Sequence, residues 1–162
     1  MEEVPEFEIK AFKPGEVEKI RELLLEARKV DRKFDFALKE PEEIVDKLIE
    51  WMKRRLTSPN AFLFVALNEQ RPIGYVFGWI ERKSKNYWKV WKHGYICDIF
   101  VKKEFRRKGI GSALLEKAEE WFKRKEIEMI VSEVYAENAV SLNFHRARSF
   151  EEYYVMMRKF VS

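Results

Sequence analysis

Apolar residues recur along this chain in two alternating periods. Val17, Ile20, Leu24 and Ala27 return every three or four positions behind Lys13-Pro14-Gly15, which predicts a helix to about residue 29. Val45, Leu48, Ile49, Met52 and Leu56 do the same after Pro41, and Leu114, Leu115, Ala118, Trp121 and Phe122 give a further helix to about residue 125. Between the helices lie short runs of β-branched and aromatic residues, at 6–12, 61–67, 73–80 and 95–101, which read as strands. The pair 61–67 and 73–80 is predicted as a hairpin joined through 68–72. A strand from Met129-Ile130-Val131 to residue 136, a short helix to 148 and a last strand at 153–160 complete a βααβββαβαβ order. No repeat or linker interrupts it.

Composition narrows the class. At 162 residues and 46% hydrophobic, the chain is expected to form one domain with a sizeable core. A net charge of +4 is too mild to imply nucleic acid, and no basic stripe interleaved with aromatics appears outside one loop. The acidic start and the lack of an 18-residue apolar run lead to the expectation of a cytoplasmic protein without a membrane partner. Cys97 is alone, and His93 and His145 are the only histidines, so neither a disulfide nor a metal site is expected. Richness in Lys, Glu and Arg with a single Gln resembles heat-adapted composition.

The most informative residues are Arg106-Arg107-Lys108-Gly109-Ile110-Gly111-Ser112, which join the 95–101 strand to the helix after it. Five of the seven residues from Lys102 to Lys108 are basic. A helix N-terminus offers unpaired N–H groups and the positive end of the dipole, and glycine lets an anion approach the backbone closely. A pyrophosphate cradle is therefore expected. The loop lacks the Gly-Lys-Ser/Thr ending of a P-loop, and Arg107 stands where a dinucleotide fingerprint needs its first glycine.

This stretch resembles the GNAT superfamily of acetyl-CoA-dependent N-acetyltransferases, whose signature Arg/Gln-x-x-Gly-x-Gly/Ala is met by Arg106, Gly109 and Gly111. A second segment is similar as well: Val134-Tyr135-Ala136-Glu137-Asn138, then Ser141, Phe144-His145 and Ser149-Phe150. Asn138, Phe144 and Phe150 match the family's strand–Asn–helix segment, while Ser141, His145 and Ser149 replace its Ala, Tyr and Gly. The resemblance implies a single-domain α/β (α+β) fold with a mixed, mostly antiparallel central sheet and helices on both faces. It implies acetyl-CoA as co-substrate, with the backbone of Ile99, Phe100 and Val101 on the pantetheine arm and Arg106, Arg107, Lys108, Gly109, Ile110, Gly111 and Ser112 on the pyrophosphate. Asn138, Ser141 and Phe144 would complete the cofactor site.

The activity so implied is direct acetyl transfer to a primary amine in a ternary complex. A carboxylate near the end of the strand before the cradle can take the amine proton, which makes Asp98 one candidate and Glu133 the other. By family register His145 stands where the residue that protonates the departing sulfur usually lies, with Tyr135 as the alternative. Cys97 reads as a small strand hydrophobe. For the acceptor, Asp31, Asp35 and Glu40 lie among Phe34 and Phe36, and Tyr87, Trp88 and Trp91 form a second aromatic group; acids beside aromatic faces suit a small amine or polyamine. A protein N-terminus or lysine as acceptor, or a non-catalytic acyl-CoA sensor, stays open. The apolar run Tyr153-Tyr154-Val155-Met156-Met157 suggests a homodimer.

Overall fold

Five strands lie side by side in the order of the chain in the computed structural model, which describes residues 3–162. β1 (Glu8–Ala11), β2 (Ala61–Asn68), β3 (Arg71–Arg82) and β4 (Lys92–Val101) pair antiparallel, and β5 (Ile130–Ser132) joins β4 in parallel. Helices α1 (Arg21–Phe34) and α2 (Pro41–Arg55) cover one face; α3 (Ile110–Arg124) and α4 (Ala139–Ala147) cover the other. Alternation along the strands supplies both cores. From β2, Leu63, Val65 and Leu67 pack toward α1 and α2, while Phe62, Phe64 and Ala66 pack toward α3.

The predicted architecture is present, with four corrections. A 3-10 turn over Pro14–Ile20 precedes α1, which then runs on to Phe34 instead of stopping near 29. The hairpin closes through Glu69 and Gln70 alone, at φ of 48° and 66°. That left-handed pair matches the twist of the two strands, so they extend further than their apolar runs. β5 ends at Ser132, because the chain beyond it turns to cap α4: the Asn138 amide donates to the Tyr135 carbonyl, 2.9 Å. Residues 153–160 are not a strand. They are exposed and pair with no strand among the described residues; β propensity alone makes no ladder without a partner edge.

One irregularity decides which way the central residues point. Phe77 pairs with Asp98 but Gly78 pairs with Ile96, so Cys97 is an extra residue in β4. This β-bulge shifts the alternation by one. Tyr95, Cys97 and Phe100 consequently pack on the α1–α2 face, and Ile96, Ile99 and Val101 on the α3 face.

Candidate active site

The cradle is built at the start of α3. Gly109 is the N-cap at φ 82°, ψ 1°, left-handed backbone that glycine adopts without strain, and an added Cβ there would meet nothing within 4 Å. The open side of the loop is thus free for a ligand. Ala113 donates to the Gly109 carbonyl at 3.0 Å, but among the described residues the amides of Ile110, Gly111 and Ser112 find no acceptor. These donors fit a pyrophosphate. At Gly111 an added Cβ would lie 3.4 Å from the Phe144 ring, an ordinary contact distance, so α4 packs directly on the cradle. Arg106 turns back on the strand. Its Nε donates to the Val101 carbonyl at 2.9 Å and its guanidinium lies 5.4 Å from the centre of the Phe100 ring, fixing the loop to β4.

Beside the cradle the sheet parts. β4 keeps β3 as a neighbour through Val101, but meets β5 only at Gly94, Tyr95 and Ile96. Residues 97–101, including Ile99, Phe100 and Val101, have no strand partner on the gap side, where the Val101 carbonyl accepts from Arg106. An extended pantetheine arm fits such an edge because it can accept and donate the hydrogen bonds a strand would. Asn138 closes the far side as N-cap of α4, its Oδ1 accepting from the Ser141 amide at 3.1 Å.

On the α1–α2 face, the bulge directs Asp98 at a buried polar cluster. Asp98 accepts from both the Arg28 guanidinium and the Tyr75 hydroxyl. Burial opposes the charge on Arg28, but Asp98 and Asp31 beside it more than restore it. Tyr75 is completely buried, and burial together with Asp98 pushes its phenol well above the ordinary value, so it stays a neutral donor. Arg28 Nε lies 3.1 Å from Asp31 Oδ2 but off the line of a hydrogen bond. A pocket of about 390 Å3 opens next to this cluster, walled by Leu38, Ile44, Leu48 and Trp51, with Arg28, Asp31, Lys47 and Tyr135 supplying its polar atoms. Tyr135 is fixed by its ring, stacked 6.1 Å from Phe34, and by its hydroxyl, which donates to Asp35 at 3.3 Å.

The remaining candidates divide between the two faces. Ser132 pairs with Ile96 and therefore faces α3, where its hydroxyl lies 2.9 Å from His145 Nε2. His145 Nδ1 lies 2.7 Å from the Ser141 carbonyl, an acceptor only, so Nδ1 carries the proton and Nε2 accepts from Ser132. Burial lowers the pKa of His145 and keeps the ring neutral, packed edge-on against Phe144 and Phe150. Glu133, one residue beyond Ser132, is exposed and close enough to Tyr95 for its charge, after burial, to raise that phenol. Burial and the neighbouring Asp98 push the Cys97 thiol up to about 12, so it remains protonated. Tyr87, Trp88 and Trp91 do not line the pocket; Lys83 lies 3.6 Å from the Trp88 ring centre and Lys85 4.1 Å from that of Trp91.

Arg28, Tyr75 and Trp51 were not singled out in the sequence. A signal existed for the first: Leu24, Ala27, Arg28 and Asp31 continue the inward stripe of α1, and a charged pair on an apolar face needs a buried partner. Tyr75 and Trp51 read as ordinary core residues.

The described residues thus combine an open row of amides at a helix start, a parted strand pair beside it, and a pocket on the α1–α2 face walled by four apolar and four polar residues. The chain belongs to the acetyltransferase (GNAT) family, whose profile matches residues 18–150. An uncharacterized N-acetyltransferase of Methanocaldococcus jannaschii is 30% identical over 106 residues, 64% of this chain and 43% of that protein. The chain spans about half the length of the curated relatives it matches, 43% and 54%. Among solved structures, one from Pyrococcus furiosus, assigned only provisionally as an acetyl transferase, is 30% identical with a TM-score of 0.67, covering 96% of this chain and 100% of that one. An aminoglycoside N-acetyltransferase solved in complex with CoA shares the fold at 20% identity and a TM-score of 0.70, over 98% of both chains. No helix among the described residues is long and apolar enough to cross a membrane.

Proposed function

We propose that this protein transfers the acetyl group of acetyl-CoA to a primary amine, by direct attack with both substrates bound. The observation that carries this reading is the row of unpaired amides at Ile110, Gly111 and Ser112, set against the open edge of β4 at residues 97–101. Acetyl-CoA would supply the thioester; the chain supplies its binding and the acceptor's orientation. The amides take the pyrophosphate, Arg107 and Lys108 add charge beside it, and Ile99 to Val101 hold the arm. Asp98, already accepting from Arg28 and Tyr75, acts by fixing Arg28, while Glu133 is exposed beside Tyr95 and outside the pocket lining. His145, with both ring nitrogens occupied, ties α4 to β5 and so keeps the gap open.

The acceptor side supports a small amine. Composition rich in Lys and Glu supports a heat-stable protein, and exposed apolar residues near the C-terminal end support a homodimer. The cradle assignment is tested by calorimetry of coenzyme A binding to Gly109→Asp. A carboxylate placed where phosphate would sit is expected to weaken binding at least about 100-fold, the upper range for one lost charge-assisted hydrogen bond. Unchanged affinity in the folded variant would move the pyrophosphate elsewhere.

A further inference from the structure

We propose that the pocket between α1 and α2 receives a primary monoamine carried on an apolar alkyl or aryl body, its ammonium against Asp31, and that Asp31 takes the proton that frees the amine to attack. The assignment rests on the acetyl-transfer reading above and specifies its acceptor.

Charge in the pocket argues for one ammonium and no more. Asp31 is the sole carboxylate of the lining, and the two cations that share it are Arg28 and Lys47. Arg28 is neutralised by Asp98, so the pocket presents one acid to a ligand and one cation, Lys47, exposed on α2. A polyamine or aminoglycoside would bring further ammonium groups with no acid to meet them and with Lys47 repelling them. Leu38, Ile44, Leu48 and Trp51 instead offer apolar walls, which a hydrocarbon body covers with gain. Trp51 is set rigidly, edge-on to both Phe77 and Trp79 at 5.6 Å.

Asp31 is placed and prepared for proton transfer. It sits on a helix, one turn beyond Ala27, so its position is fixed by the α1 core packing. Arg28 Nε stands 3.1 Å from Oδ2 but is misaligned, which holds the carboxylate without saturating it. The charged and titratable groups facing it are Arg28 on its own helix, Asp98 from β4, Tyr75 from β3, Asp35 from the end of α1, Tyr135 after β5, and Lys47 across the pocket. Burial raises Asp31 to about 6, with Asp98 and Asp35 acting in the same direction and Arg28 against. At neutral pH the carboxylate is therefore ionised yet more basic than an exposed one, as a general base should be.

The step balances without another reagent. Asp31 takes one proton from the bound ammonium; the freed nitrogen pair forms the C–N bond at the acetyl carbonyl; the C–S bond breaks with its electron pair on sulfur. The second amine proton leaves to water and the thiolate is protonated from water, so the sum is amide, thiol and one released proton.

The test is thiol release from saturating acetyl-CoA with hexylamine, phenethylamine, spermidine, kanamycin and an unmodified peptide, for wild type, Asp31→Asn and Leu48→Glu. Wild type is expected to favour the two monoamines at least about tenfold in kcat/KM over the polycations, with activity rising through about pH 6. Asp31→Asn should lose about 10²–10⁴ in kcat and lose the acidic limb of the profile, with coenzyme A affinity unchanged. Leu48→Glu gives the pocket a second acid and should move preference toward spermidine. Retention of the acidic limb in Asp31→Asn, or a wild-type preference for spermidine, kanamycin or the peptide, overturns the assignment while leaving acetyl transfer in place. If no amine of any class releases thiol, both fall together.

Discussion

Burial raises the Asp31 carboxyl to about 6, so the folded protein holds this proton more tightly than the unfolded chain, where an aspartate titrates near ~3.9. The stability this group contributes is present in full below about pH 4 and is lost as pH rises through about 6. Calorimetric melts of wild type should therefore fall relative to Asp31→Asn between about pH 4 and 7, a difference that stays flat with pH contradicting the burial of the charge. His145 gives a second residue-level outcome. Its ring is buried, bonded at both nitrogens and packed on Phe144 and Phe150. His145→Ala should cost about 2–4 kcal/mol in denaturant unfolding, while kcat of the folded variant falls less than about tenfold. A loss of about 10² or more in a variant that still binds coenzyme A would make the imidazole the proton donor. The chain announced His145 by register alone; the serine partners that occupy it come from a different strand and from its own helix, and sequence order does not bring Ser132 to it.

Elements that follow local rules were legible, and those set by distant pairing were not. Gly109 marks the start of α3 because its left-handed N-cap backbone is a demand that can be read within a few residues. The bulge at Cys97 and the early end of β5 depend on which strand lies alongside, and no periodicity within the 95–101 run records either. Without the bulge, strict alternation would have turned Asp98 away from α1, and the cluster with Arg28 and Tyr75 would not exist. The packing of α4 on α3 can be checked at Gly111, where a Cβ lies 3.4 Å from Phe144 and 3.8 Å from Val101. Gly111→Val adds two further methyl groups to that contact and should destabilise by about 1–3 kcal/mol, lowering Tm by about 2–4 °C per kcal/mol. A melt equal to wild type would show that α4 yields at no cost.

For the whole molecule, the segment after α4 stands out. Met156 and Met157 are 78% and 84% exposed, and Arg158 tethers the segment by one ion pair to Asp35 at 2.8 Å, with Phe160 beside Phe36. Two copies that paired these segments would cover that apolar surface and satisfy the free backbone of both. Light scattering is expected to give a dimer mass at micromolar concentration, and Met156→Glu with Met157→Glu a monomer; a monomeric wild type removes the dimer. Amine-dependent release of free thiol from acetyl-CoA, with the acetylated amine identified by mass spectrometry, tests the acetyl-transfer proposal most directly. Thiol is expected to appear in step with acetylated amine and to vanish in Gly109→Asp. Coenzyme A binding without thiol release under any amine would contradict acetyl transfer and leave a protein that binds the carrier without turning it over.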